Sequence, residues 1–195
     1  MTPARFSPLQ RLFHWVMAAC ILAMLFIGVG MVSTISTRYL TLLSIHKPLG
    51  IAILVLALLR LVLRLRRGAP SLPDDLPEPM KLAAHLSHVA LYALMIAMPL
   101  LGWAMLSAEG VPVLLSSSVR LPPIAPQGLE LYALFRSAHG YLAYAFFAVI
   151  LLHLGAALYH AMIRRDRVFG TMAPVPMRNR TADTPGRTIE SAHNV

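Results

Sequence analysis

The sequence is poor in cysteine and in charged residues. Its 195 residues include one cysteine, Cys20, and charged residues make up only 13% of the chain. A single cysteine excludes an internal disulfide, and so little charge lies outside the range of soluble globular domains. The chain also has no glycine-rich phosphate loop, no heptad array and no internal repeat. Phosphate-loop nucleotide chemistry, coiled coils and solenoid repeats are therefore not expected.

Apolar residues are abundant instead and make up 57% of the chain. They occur in blocks of about twenty residues, the length that an α-helix needs to cross a bilayer. This pattern predicts an all-α, polytopic membrane protein with a single domain, and the alternative is a soluble bundle with a buried helical core. The formal net charge of +9 does not indicate nucleic-acid binding, because the basic residues flank the apolar blocks.

Four spans follow from these blocks. The fourth helix is expected to begin early, near Gly128, and Pro99 is expected to kink the third. We predict a four-span membrane domain over residues 1–167 and a flexible basic cytoplasmic tail over residues 168–195. The predicted spans are Leu9 or Leu12 to Val32, Leu40 to Leu65, Lys81 to Ser107, and Ala138 to Ile163.

The distribution of basic residues predicts the orientation in the membrane. Thirteen of the seventeen lysines and arginines fall on the side of the two termini. Because cytoplasmic loops carry the excess of lysine and arginine, both termini are expected in the cytoplasm, with the chain in a bacterial inner membrane. The remaining four lie on the opposite, outer side: Arg38, Lys47, Arg120 and Arg136.

The fourth span carries three histidines, His139, His153 and His160, on one helical stripe. The fourteen residues between the first two correspond to about 21 Å of depth. Ionisable side chains inside a span are costly and usually functional. Two imidazoles at two depths therefore suggest two stacked sites.

Histidines on different helices form two pairs when they are matched by their predicted depth in the membrane. His14 falls on the inner side with His153, and His46 falls on the outer side with His139. Two neutral imidazoles approaching from opposite sides fit the axial positions of a six-coordinate haem. Without a Cys-x-x-Cys-His motif, such a haem would be bound noncovalently. Hydrogen-bonded interhelical histidines are the simpler alternative, and a non-haem metal site would need three or four ligands at one depth.

Further polar residues lie near the predicted inner site. Arg60 follows His46 by fourteen residues on nearly the same face, so it is a candidate partner for haem propionates or a snorkelling interfacial arginine. His85, His88 and His160 are expected at the inner end. They are candidates for a quinone site, where an imidazole bonds to a quinone carbonyl or passes a proton, or they are interfacial polar residues.

The order of motifs resembles the bacterial four-helix di-haem cytochrome b561 family, closest to its superoxide oxidase type. The resemblance covers roughly residues 8–165 and implies a four-helix membrane bundle holding two haems b. It also implies ligation by His14 with His153 and by His46 with His139. The matching motifs are RLFHW at His14, SIHKPLG at His46, AHLSH at His85 and His88, SAHGYLAY at His139, and LLHLGAALYH at His153 and His160.

The resemblance implies an enzyme that oxidises superoxide to oxygen on the periplasmic side and passes electrons through two haems to ubiquinone. Lys47 and Arg136 lie near the outer pair and are candidates for attracting superoxide or pairing with propionates, or they are ordinary loop charges. The alternative is an electron-transfer subunit that takes electrons from a periplasmic dehydrogenase, hydrogenase or soluble cytochrome. A haem-free membrane scaffold is a third possibility.

Overall fold

The computed structural model describes residues 5–115 and 119–173 of the chain. The predicted all-α class is confirmed: four long apolar helices dominate these residues, with a two-stranded hairpin as the exception. The helices are α1 (Pro8–Val32), α2 (Arg38–Arg67), α3 (Glu78–Glu109), α4 (Leu129–Leu158), a π-helical continuation (Tyr159–Arg164) and α5 (Val168–Met172). The strands are β1 (Val113–Leu114) and β2 (Arg120–Leu121).

Each of the four long helices is long and apolar enough to cross a membrane. Their outward surface is apolar as well: Phe26 on α1 is 78% exposed and Leu152 on α4 is 72% exposed. Large apolar side chains that face outward on every helix suit a lipid environment. The structure therefore agrees with the four spans expected from the apolar blocks.

Contacts at the helix ends show that the helices alternate in direction. Gln10, near the start of α1, donates a hydrogen bond to the carbonyl of Gly68 just after α2. The carbonyl of Ala108, near the end of α3, accepts from Gly128 just before α4. We call the end where α1 begins the termini face and the opposite end, which carries the β-hairpin, the hairpin face.

Local sequence signals account for the helix boundaries. The side chains of Ser7 and Gln10 form a capping box at the start of α1, with Pro8 in the first turn. At the other end of the bundle, α3 stops at Gly110, whose φ of 80° is the left-handed conformation that glycine adopts without strain. Pro99 lies inside α3, which is one continuous helix from Glu78 to Glu109.

The centre of the bundle is a small apolar layer with one residue from each long helix. Met17, Ala57, Met95 and Phe146 form this buried cluster. Close backbone packing joins α1 to α2, α2 to α3, and α3 to α4. Phe146 lies seven residues from His139 and seven from His153. The apolar layer therefore lies about 10 Å along α4 from each of the two predicted depths.

The segment after the fourth helix folds back on the start of the chain. The structure describes residues 168–173 of the predicted flexible tail, and they form α5 and its end; residues 174–195 lie outside the described residues. Four hydrogen bonds attach this segment to the beginning of the chain: Arg5 to Gly170 O (3.0 Å), Phe6 N to Thr171 O (3.3 Å), Trp15 Nε1 to Met172 O (3.0 Å) and Arg11 to Ala173 O (3.1 Å).

Hydrogen bonds to main-chain atoms order part of the long connector on the hairpin face. It contains the antiparallel pair β1 and β2, with Val113 opposite Leu121, which the sequence did not predict. The Trp103 indole donates to the carbonyl of Pro122 (2.9 Å), and the Ser107 hydroxyl accepts from the backbone N–H of Ile124 (3.1 Å). These bonds hold the connector against the end of α3.

Candidate functional site

The termini-face pair consists of His14 on α1 and His153 on α4. Their ring centroids are 6.4 Å apart and the ring planes are inclined by 69°. His14 lies two turns into α1, beside Trp15, whose ring centroid is 5.4 Å away. The structure therefore brings together two histidines that are 139 positions apart in the sequence.

The hairpin-face pair consists of His46 on α2 and His139 on α4. Their ring centroids are 6.2 Å apart, with an interplanar angle of 63°. Gly102 on α3 lies beside this pair: a Cβ at that position would be 3.4 Å from Cε1 of His139. The glycine thus lets α3 approach the imidazole closely, which a larger residue would prevent.

Both pairs fit an iron held by two imidazoles. Bonds of about 2 Å from an iron to two ring nitrogens place the ring centres roughly 6 Å apart. In addition, the buried Nδ1 atoms of His14 and His46 have no hydrogen-bond partner within the described residues. An unpaired buried polar atom is costly, so imidazoles in this state suit a site completed by a bound group.

The described histidines do not form a three- or four-ligand metal site. In residues 5–115 and 119–173, no group of three or more His, Cys, Asp or Glu side chains is arranged to hold a metal ion. The two pairs are fourteen residues apart along the continuous helix α4, which corresponds to about 21 Å. This arrangement suits two planar metal cofactors, one at each face, better than a three- or four-ligand zinc or iron site.

Arg60 lies near the termini-face pair. Its guanidinium carbon is 5.5 Å from the ring centroid of Tyr92, a cation–π geometry. It is within electrostatic range of both His14 and His153, and it has no carboxylate partner among the described residues. Arg60, Arg64 and Tyr92 line a small cavity of about 10 Å³, which Phe6, Gln10 and Met172 complete.

The three histidines predicted for a quinone site occupy different surroundings. His85 is exposed on α3. His88, three residues later, is half-buried: its Nδ1 lies 2.7 Å from the carbonyl oxygen of Ala84, and its ring contacts His153. His160 is buried in the π-helical turn that continues α4, with its Nδ1 2.6 Å from Oδ2 of Asp166.

Asp166 is a residue that the sequence analysis missed. Besides meeting His160, it accepts a hydrogen bond from the N–H of Val168 at the start of α5 (2.9 Å), and it lies 2.9 Å from Nε of Arg164. Arg164 also pairs with Asp75 at 2.6 Å, which ties the end of α4 to the connector before α3. The available signal was an acidic residue six positions after a histidine in an otherwise basic stretch.

The two basic residues predicted near the outer pair lie on the hairpin face. Lys47 follows His46 directly on α2 and is partly buried. Arg136 is exposed on α4, one turn before His139, and donates a hydrogen bond to the hydroxyl of Tyr132 at 3.0 Å. Within the described residues, neither side chain forms an ion pair with a carboxylate.

Four apolar helices around paired histidines define a class of protein, the membrane cytochromes b that carry electrons. Comparison with known proteins supports this class, because residues 5–174 match the family described as prokaryotic cytochrome b561. The chain belongs to the prokaryotic cytochrome b561 family, whose members bind two haems b. The family resemblance seen in the motifs is therefore confirmed, and haem b is the implied cofactor.

Individual relatives are similar over most of the chain. Cytochrome b561 homolog 1 of Escherichia coli (strain K12) is 30% identical over 178 residues, which cover 87% of this chain and 97% of the relative. Cytochrome b561 homolog 2 of the same strain is 30% identical over 170 residues, or 85% and 89% of the two chains. Probable superoxide oxidase CybB of Yersinia pestis is 34% identical over 131 residues, or 67% and 73%.

Proposed function

We propose that this membrane cytochrome b is a superoxide:ubiquinone oxidoreductase of the bacterial inner membrane, with both termini in the cytoplasm. The observation that carries the proposal is the presence of two imidazole pairs at opposite faces of one bundle, about 21 Å apart along α4. Such a pair of sites connects a water-soluble electron donor at one face with a lipid-soluble acceptor at the other. The similarity to a probable superoxide oxidase favours superoxide as the donor.

In this proposal the four histidines hold the cofactors. His14 and His153 bind one haem at the termini face, and His46 and His139 bind the other at the hairpin face. A bound haem supplies a centre that takes up and releases one electron at a time. The protein supplies neutral imidazoles in fixed positions, a dry apolar layer between the sites, and a cation, Arg60, to pair with propionates at the termini face.

The hairpin face has a charge that suits an anionic substrate. Arg38, Lys47, Arg120 and Arg136 lie there, against two acidic residues, Glu109 and Glu130. Neither Lys47 nor Arg136 forms an ion pair with a carboxylate in the described part of the chain. A surplus of positive charge raises the local concentration of an anion such as superoxide and increases its rate of encounter.

The quinone is proposed to react at the termini face. Two superoxide ions each lose one electron and leave as oxygen, while one ubiquinone takes up the two electrons and two protons to become ubiquinol. His85 is exposed on α3 and His160 is buried in the π-helical turn that continues α4, and an imidazole suits contact with a carbonyl oxygen or transfer of a proton. The ring of His88 contacts His153.

The decisive experiment mixes the purified, oxidised holoprotein rapidly with a pulse of superoxide and follows the visible haem spectrum. We expect fast haem reduction that added superoxide dismutase abolishes, followed by reoxidation when ubiquinone is supplied. A protein that contains two haems but stays oxidised in the presence of superoxide would contradict the proposal. That outcome would instead indicate an electron-transfer subunit fed by a periplasmic dehydrogenase, hydrogenase or soluble cytochrome.

A further inference from the structure

A third histidine lies at the termini-face pair. His88 on α3 has its ring centroid 5.5 Å from that of His153, with the two planes inclined by 80°. This edge-to-face contact is closer than the contact of His153 with His14, at 6.4 Å. Three helices therefore contribute an imidazole here, whereas in the described part of the chain the hairpin-face pair has two.

The orientation of His88 is set by its own helix. Its Nδ1 lies 2.7 Å from the carbonyl oxygen of Ala84, one turn earlier. A carbonyl oxygen only accepts, so Nδ1 carries the proton, and in the neutral ring Nε2 is then the acceptor. This hydrogen bond restricts rotation of the ring, and His88 therefore presents a fixed surface to α4.

His153 has no comparable bond of its own. In the described part of the chain it forms no hydrogen bond, and its ring contacts are those with His14 and His88. A histidine that binds a metal usually has its ring orientation fixed by a neighbouring group. For His153, the ring of His88 is the neighbouring group that the structure provides.

We propose that His88 is a positioning residue that holds the imidazole of His153 at one angle relative to His14. This inference rests on the proposed assignment of His14 and His153 as haem ligands. Because the orientation of a ligand imidazole affects the electronic structure of the iron that it would hold, His88 would tune the spectrum and the reduction potential of a haem bound at His14 and His153. Among the described residues, the pair of His46 and His139 has no such third ring.

The test uses the full-length holoprotein with three variants, His88→Ala, His88→Phe and, as the control, Leu86→Ala. Leu86 lies two positions earlier on the same helix, and its side chain is 56% exposed. The readouts are the low-spin electron paramagnetic resonance signals of the two haems and their separate reduction potentials.

We expect His88→Ala to shift the resonance and potential of one haem while those of the other stay at wild-type values. His88→Phe keeps an aromatic ring against His153 and is expected to restore most of the wild-type resonance. Leu86→Ala is expected to change neither haem. A His88→Ala protein with both signals unchanged would overturn the proposal. So would loss of one haem in both the Ala and Phe variants, because His88 would then itself be a ligand.

These readouts do not involve superoxide or quinone. If the wild-type protein failed to oxidise superoxide, the proposed activity would be wrong, but the resonance shifts would still decide the role of His88. A wild-type protein without a haem at His14 and His153 would overturn the ligand assignment and the positioning role together.

Discussion

The Nδ1 atom of His160 lies 2.6 Å from Oδ2 of Asp166. This hydrogen bond joins the last turn of the fourth span to the acidic residue that follows it. The same carboxylate accepts a hydrogen bond from Val168 through its other oxygen. Arg165, which lies between His160 and Asp166 in the sequence, adopts a left-handed conformation with a φ of 53°, which is uncommon for a residue other than glycine. Asp166 therefore stabilises both the π-helical turn and the start of α5.

Replacement of Asp166 by alanine is expected to lower the stability of the termini face. The change leaves the buried His160 without its partner and removes the acceptor of the Val168 N–H at the start of α5. An unsatisfied buried group costs about 1–3 kcal/mol. The measurement is the thermal unfolding midpoint of the detergent-solubilised protein. Asp74→Ala is the control, because Asp74 is exposed in the connector before α3. Equal midpoints for the two variants would contradict the structural role of Asp166.

A larger residue at position 102 is expected to disturb the hairpin-face site. The Cβ of a residue at Gly102 would already be 3.4 Å from His139, so Gly102→Leu must displace that imidazole, whereas Gly102→Ala is expected to be tolerated. Haem content and the visible spectrum of the purified variants test this expectation. Gly140→Leu is the matched control, because a Cβ there meets nothing within 4 Å although it adjoins His139. Full haem occupancy in Gly102→Leu would show that close approach of α3 is not required.

Removal of one ligand is expected to empty one site only. We predict that His46→Ala or His139→Ala removes the haem at the hairpin face and leaves the other, since the two pairs share no residue and the apolar layer around Phe146 separates them. The haem content per chain and the potential of the haem that remains check this prediction. If either substitution emptied the site at His14 and His153 instead, the pairing would be wrong.

Features that depend on helical periodicity could be predicted from the sequence. Features that depend on contacts between distant segments could not. The four spans and the depth at which each histidine lies follow from about 1.5 Å of rise per residue, and the structure indeed places His46 opposite His139. Their roles as ligands stay predictions. The π-helical turn at His160 was missed although Asp166, six positions later, was a local signal for it. The packing of α5 against α1 had no local signal, because hydrogen bonds between the two ends of the described chain determine it.

Arg60 lies within electrostatic range of His14 and His153, where we propose that the termini-face haem binds. If its guanidinium pairs with a propionate, Arg60→Gln removes a positive charge that favours the reduced, less positive form of the iron, so the reduction potential of that haem is expected to fall. Arg60→Lys keeps the charge and is expected to lie between the two. Spectroelectrochemical titration measures both haems in one experiment, and Arg67→Gln, in an exposed residue at the end of α2, is the control. A potential that is the same in Arg60→Gln and in the wild type would identify Arg60 as an interfacial arginine without a role at the haem.

Electrostatic attraction at the hairpin face predicts a dependence on salt. Raising the ionic strength from about 0.01 M to about 0.15 M shortens the Debye length from about 30 Å to about 8 Å, so the rate of haem reduction by superoxide is expected to fall. Neutralising Lys47 and Arg136 together with glutamine should lower the rate at low salt and flatten its dependence on salt. The double variant Arg66→Gln and Arg67→Gln removes the same charge from the opposite face and is expected to behave as the wild type. If both double variants slowed the reaction equally, the effect would come from the net charge of the protein and the local attraction of superoxide to Lys47 and Arg136 would be excluded.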